Sequence, residues 1–583
     1  MNRRSFFYSL AAGVVVLLLI GISGYYWIVS QSPLTLLRGG SQTTPTAAIF
    51  VSKQAPVMVS MLVNPDKLES LRQLVTPPLE RRRSRSELEG LKTSLLADTG
   101  LDYRRDIQPW LGEEITLAVT SQDIDRDRSN GKQPGYLLAL TTKDSTKSRE
   151  FLQLLFSKRA IAGRELVSEQ YKGVNLFSDT QPVAANLPET TKQPKLAKPP
   201  QQNYLAGAVV GNRFVLFANH SQVLREAINN VQAPDLNLTS SSQYQQALNL
   251  LPSARIGIAF LNLPNVAEWL GKQLQNPTYN SQIVALELNR QGLLAETTFI
   301  ASPEQEVASY NKMSEPVKAL QYIPAATGLT ISGSDLSHLE KTDLNSLWQQ
   351  VTAVLSGSGN DASKSIDRSL DTLQPRWDID LSRDIFSWVE GEYALGMLPD
   401  ADGVTLDWIF VAEKTPAAEP GIEHLNAIAQ DKGLTITPLS LGEQKIYAWT
   451  LLANAPTTAS DVDRALLTFK AKVEGVQATV GNYAIFTTSV EAMDAALKAA
   501  KSGSFVDSSQ FQPSIKAIPK PNQGYVYLDW QKSHEILERQ VPLLKLLEVA
   551  GKPFFQNLRS LTISSYGGDA GVLKGGLLFQ FNL

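Results

Sequence analysis

Residues 102–117 read Asp-Tyr-Arg-Arg-Asp-Ile-Gln-Pro-Trp-Leu-Gly-Glu-Glu-Ile-Thr-Leu, and residues 380–395 read Asp-Leu-Ser-Arg-Asp-Ile-Phe-Ser-Trp-Val-Glu-Gly-Glu-Tyr-Ala-Leu. Asp102, Arg105, Asp106, Ile107, Trp110, Glu114 and Leu117 match Asp380, Arg383, Asp384, Ile385, Trp388, Glu392 and Leu395 without a gap. A second pair lies downstream. Ser241-Ser242-Gln243-Tyr244-Gln245, followed by Leu251-Pro252, recurs as Ser508-Ser509-Gln510-Phe511-Gln512, followed by Ile518-Pro519. Val210-Gly211-Asn212 also returns as Val480-Gly481-Asn482. Blocks kept in one order signal an internal duplication. The sequence therefore predicts two homologous repeats, 47–300 and 318–583, joined by 301–317.

Within a repeat, the pattern alternates between period 2 and period 3.6. Val57–Val63, Ile115–Thr120 and Gly135–Thr142 read as strands, and Ser145–Phe156 and Ser221–Val231 as helices. Asn203–Val210 and Arg213–Ala218 read as a hairpin about Gly211-Asn212. Another hairpin is expected about Gln291-Gly292. Hairpins outnumber strand–helix–strand crossovers, which predicts an α+β fold of largely antiparallel sheet covered by helices. Ser121–Pro134 and Asp179–Gln202 read as polar surface insertions of the first repeat.

Upstream, Leu10–Val29 carries no charge and is about long enough to span a bilayer. Arg3 and Arg4 precede it, and Tyr25, Tyr26 and Trp27 close it. The expectation is a cytoplasmic N-terminus and single transmembrane helix within 1–30, a tether at 31–46, and an extracytoplasmic body. No small-x-small site follows the run, which favours a retained anchor over a cleaved signal. Arg3-Arg4-Ser5-Phe6-Phe7 also fits a twin-arginine export signal, with an ordinary basic n-region as the simpler reading.

Composition excludes several functions. The chain has 583 residues, a net charge of −3 and no Cys. There is no thiolate nucleophile, disulfide or Cys-ligated metal. There is no general basic excess for nucleic acid. The four His are scattered, so no metal or cofactor is expected. Asp123-x-Asp125-x-Asp127 lacks the Gly and Glu of a calcium loop. No G-x-S-x-G, Walker A or G-x-G-x-x-G sequence occurs. Because both repeats carry them, Arg105, Asp106, Trp110 and Glu114, with Arg383, Asp384, Trp388 and Glu392, are read as a packing and capping motif. Arg81, Arg82, Arg83 and Arg85 form a charge run that could meet an anionic partner, or simply a solvated helix entry.

The apolar N-terminal run followed by Pro56-Val57-Met58-Val59-Ser60, the Asp106-Ile107-x-x-Trp110-x-x-x-Glu114 block and the Ser-Ser-Gln-aromatic-Gln blocks together resemble an uncharacterised bacterial domain family. That family is common in cyanobacterial membrane-anchored proteins. The resemblance implies a cell-envelope or thylakoid-luminal location and no catalytic residue. The expected function is a non-enzymatic, membrane-tethered scaffold or assembly factor that binds a protein and contacts the membrane through residues 10–29. A lipid or apolar-ligand carrier is the alternative, and a hydrolase with an unrecognised site is a third.

Overall fold

The computed structural model describes residues 44–64, 101–126, 132–180, 204–252, 255–269, 279–289, 291–302, 312–337, 381–399, 406–454, 469–533, 555, 558–569 and 571–581. These form two compact units. Residues up to 290, with 295–305, make one, and residues from 306, with Gln291–Leu294, make the other.

Unit one is built on strands β1 (Val57–Met61), β2 (Leu111–Ser121), β3 (Gly135–Thr142), β4 (Glu165–Tyr171), β5 (Val174–Thr180), β6 (Ala206–Val210), β7 (Phe214–Ala218), β8 (Gly257–Asn262), β9 (Tyr279–Asn289) and β10 (Gly292–Ala301). Hydrogen bonding orders them β10-β9-β8-β1-β2-β3-β7-β6-β5-β4, with antiparallel neighbours. Four helices accompany them: α1 (Ser145–Ile161), α2 (Ser221–Gln232), α3 (Ser242–Asn249) and α4 (Leu263–Trp269).

Local chemistry sets these elements. Asp144 starts α1 by accepting from the Thr146 and Lys147 amides. His220 starts α2 through Nδ1, which accepts from the Gln222 amide at 3.1 Å. Gly211 turns the β6–β7 hairpin at φ 59°, a conformation open to glycine. The two sheet faces bury different partners. Phe151, Leu152, Leu155 and Phe156 of α1 pack with Trp110, Val215 and Phe217. Val223, Leu224, Ala227 and Ile228 of α2 pack with Phe50, Leu216 and Ala208.

Unit two follows with β11 (Leu329–Ser334), β12 (Glu392–Pro399), β13 (Leu406–Glu413), β14 (Thr435–Leu441), β15 (Gln444–Asn454), β16 (Phe469–Val480), β17 (Tyr483–Thr487), β18 (Tyr525–Asp529), β19 (Leu558–Asp569) and β20 (Val572–Phe581). Its order is β20-β19-β18-β11-β12-β13-β17-β16-β15-β14, strand for strand the order of unit one. Its helices are α5 (Ala418–Asp431), α6 (Val490–Ala499) and α7 (Gln512–Ala517).

The fold differs from the expected α+β architecture with an N-terminal transmembrane helix. Antiparallel sheet is the main component, and the helices are short covers on it. The longest among the described residues, α1, has 17 residues and carries Lys158 and Arg159 in its last turn. About 20 mainly apolar residues are needed to cross a bilayer. No helix among the described residues is long and apolar enough to do so. Residues 10–29, on which the anchor was expected, lie outside the described residues. A surface insertion was expected from Asp179, but the strand β5 runs through that residue to Thr180. Asp179 is a buried strand residue ion-paired with Arg159 of α1.

Candidate functional site

The repeated Asp-x-x-Arg-Asp-Ile block folds as a single wide turn of π-helix, at Tyr103–Ile107 and again at Leu381–Ile385. Two aspartates close the first turn reciprocally. Asp102 accepts from the Arg105 amide at 2.8 Å, and Asp106 Oδ2 accepts from the Asp102 amide at 2.9 Å. Arg105 Nε and Nη2 then donate to Asp106 at 2.8 and 3.1 Å, and Arg383 donates to Asp384 at the same two distances. The Asp106 carboxyl is held down at about 2, first by the hydrogen bond from Arg105. Trp110 Nε1 donates to the Asp106 carbonyl at 2.8 Å, and Trp388 Nε1 to the Asp384 carbonyl at 3.0 Å. Both indoles are buried, and Trp110 packs on Phe151 with centroids 4.9 Å apart.

The outer neighbour of each aspartate differs between the two turns. Lys158 of α1 approaches Asp106 at 3.9 Å, while His424 of α5 hydrogen-bonds Asp384 at 3.2 Å. Nothing local marks the His424 contact, because 40 residues separate the partners.

Glu114 and Glu392 also have one job in common. Glu114 accepts from the Thr46 amide (2.8 Å), the Ala47 amide (2.9 Å) and Thr116 Oγ1 (2.9 Å). It thereby caps the 3-10 turn Thr46–Phe50 across a sequence gap of 68 residues. Glu392 accepts from the Lys318 amide at 2.8 Å and from the Tyr483 hydroxyl at 2.9 Å, capping the turn Lys318–Tyr322. Arg105, Asp106 and Trp110 thus form one framework and Arg383, Asp384 and Trp388 its counterpart, while Glu114 and Glu392 each cap a separate turn. Their carboxylates are occupied by amides, hydroxyls and guanidinium groups rather than aimed at open space.

The remaining candidates fall elsewhere. Arg81, Arg82, Arg83 and Arg85 lie outside the described residues. Asp123 and Asp125 both accept from Gln133, at 3.1 and 3.3 Å. Among the described residues no group of three or more His, Asp or Glu is placed to hold a metal. Phe214, Phe217, Phe260, Tyr525, Tyr527 and Trp530 are all buried.

A different polar cluster emerges in unit one, at the junction of α3, the approach to β8, and the β9–β10 hairpin. It comprises Tyr244, Arg255, Glu287 and Glu296. The Glu287 carboxyl is pushed up to about 7, chiefly by burial, with Glu296 adding and Arg255 opposing. Burial raises the Tyr244 phenol and lowers Arg255. A carboxyl raised in this way holds its proton more readily, and when protonated it can donate as well as accept. Comparing the repeats would have exposed part of it. The ungapped match through 241–263 sets Phe511 opposite Tyr244 and Asn522 opposite Arg255.

No curated protein matches the sequence. Crystal forms I, IV and III of TP0453 are similar at 9% identity and a TM-score of 0.23, covering 44–45% of this chain and 80–82% of theirs. At that level neither fold nor function is transferred. A family model described as a protein of unknown function, DUF3352, matches residues 10–581. With the match running through both units, the chain belongs to the DUF3352 family.

Proposed function

We propose that the protein is a non-enzymatic binding or assembly protein whose partner is another protein, engaged at the hairpins β4–β5 and β14–β15. The observation that carries this reading is the placement of exposed apolar side chains. Eight large hydrophobic residues are exposed among the described residues. Six of them sit on these hairpins or on α1, which packs against β4: Leu154, Ile161 and Val167 in unit one, and Leu439, Tyr447 and Leu451 in unit two. Ile161 is 87% exposed. Clustered exposed apolar surface marks interaction sites, whereas scattered residues would not. The strand pairings add to this. β4 pairs only with β5, and β14 only with β15, among the described residues. An outer strand presents backbone groups to which a partner strand can add. An extracytoplasmic setting and a cyanobacterial source accompany the proposal, supported by the sequence resemblance.

The test is site-specific photocrosslinking in native extracts from positions 167 and 439, with position 498 as an exposed polar control. The expected result is one discrete protein adduct from 167 or 439 and none from 498. The doubly charged variant Val167→Lys/Leu439→Lys should lose that partner while remaining folded. Recovery of lipid without protein would instead support the apolar-ligand carrier. Equal labelling from all three positions would end the proposal.

A further inference from the structure

Arg255 is 5% exposed. Its guanidinium makes one hydrogen bond, from Nη1 to the Pro252 carbonyl at 2.7 Å. Nε is buried with no hydrogen-bond partner, and among the described residues no carboxylate lies within ion-pairing distance of the group. Tyr244, 1% exposed, stands close enough to interact electrostatically with Arg255, and its hydroxyl is likewise buried without a partner. Two donors, one of them charged, thus face the interior unmet. Glu287 reaches Arg255 only through a longer-range interaction and makes no ion pair with it. A buried cation without a contacting counter-charge is costly, and buried donors are almost always satisfied.

Unit two resolves the same place differently. Asn522, at the Arg255 position, donates to the Pro519 carbonyl at 3.2 Å and to the Tyr525 hydroxyl at 3.0 Å. Phe511, at the Tyr244 position, stacks on Phe505 at 4.5 Å. That side carries neither a charge nor an unmet donor at these two positions. The shared backbone therefore does not require Arg255 or Tyr244, and their presence in unit one calls for a separate account.

We propose that unit one binds a small monovalent anion, of the size of chloride or formate, between Arg255 and the Tyr244 hydroxyl. The anion supplies the charge that Arg255 lacks and accepts from both orphan donors. A water molecule would satisfy the donors and leave the charge uncompensated. The nearby acids do not fill the role. Glu114 is on the Tyr244 side, with its oxygens already accepting from Thr46, Ala47 and Thr116. Glu287 is half-buried beside Glu296 and lies outside ion-pairing distance.

The test is thermal unfolding of the full chain at constant ionic strength, with gluconate replaced stepwise by chloride or by formate. The wild-type midpoint should rise saturably. Arg255→Asn should remove the saturable rise. Tyr244→Phe should require about tenfold more anion, the worth of one hydrogen bond to a charged acceptor. Both substitutions introduce side chains that the fold already accommodates at 522 and 511. A flat wild-type response would overturn the proposal. So would the same rise in Arg255→Asn, or a Tyr244→Phe titration that matches wild type.

Discussion

At the residue scale, the recurring theme is a carboxylate that replaces missing hydrogen-bond partners at the end of a turn. Glu114 serves two backbone amides and two hydroxyls in a buried setting. Glu114→Ala should therefore destabilise the protein by about 2–4 kcal/mol, because it strands buried donors as well as losing bonds. Urea unfolding checks this, and a loss below about 1 kcal/mol would contradict the capping role. The roles of Asp106 and Glu114 were partly legible in sequence, since both recur with fixed neighbours. Their partners were not. Thr46 and Lys318 lie 68 and 74 residues from the glutamates they contact, and nothing local marks them.

At the element scale, helix α5 shows packing overriding propensity. Gly421 lies inside it, where glycine costs about 1 kcal/mol relative to alanine. A Cβ there would fall 2.3–2.6 Å from the Trp388 indole atoms Cγ, Cδ1 and Cδ2. The indole cannot retreat freely, since its Nε1 is bonded to the Asp384 carbonyl. Gly421→Ala should thus destabilise by about 1–3 kcal/mol despite better helix propensity. Denaturant unfolding measures it, and any gain in stability would refute the close contact. Ser148 of α1 is a small, fully buried residue in the corresponding helix of unit one. The hairpins β6–β7 and β9–β10 could be read from their glycine turns and alternation. The pairing of β1 between β2 and β8 could not, because those strands come from opposite ends of the repeat.

At the scale of the whole molecule, the two units share one topology but differ in what they bury. Glu287 has no acidic counterpart in the matching hairpin of unit two, where strand pairing sets Tyr566 at the equivalent place. The folded pKa of Glu287, about 7, lies above its ordinary value of 4.5. The folded protein therefore keeps a proton that the unfolded chain releases. This contribution is whole below about pH 4.5, declines as pH rises toward 7, and is constant above that. The groups facing Glu287 are Glu296 of β10 and Arg255 ahead of β8. Glu287→Gln should flatten the stability profile between pH 4.5 and 7 in denaturant titrations, and an unchanged slope would assign it to other groups. Asp106 acts in the opposite sense. Its stabilisation is present above about pH 3.8 and fades as pH falls toward 2.

The sequence by itself determined the repeated blocks, the strand-rich pattern, the glycine turns and the absence of cysteine chemistry. Those properties are local or repeat at fixed offsets, so a linear reading recovers them. Only the tertiary structure decided that β1 lies between β2 and β8, that the two glutamates cap distant turns, and that Arg255 Nε and the Tyr244 hydroxyl are buried without hydrogen-bond partners. Each of these depends on which side chains meet after the chain has doubled back. Periodicity reports which face of an element is apolar, but it carries no record of what that face will touch.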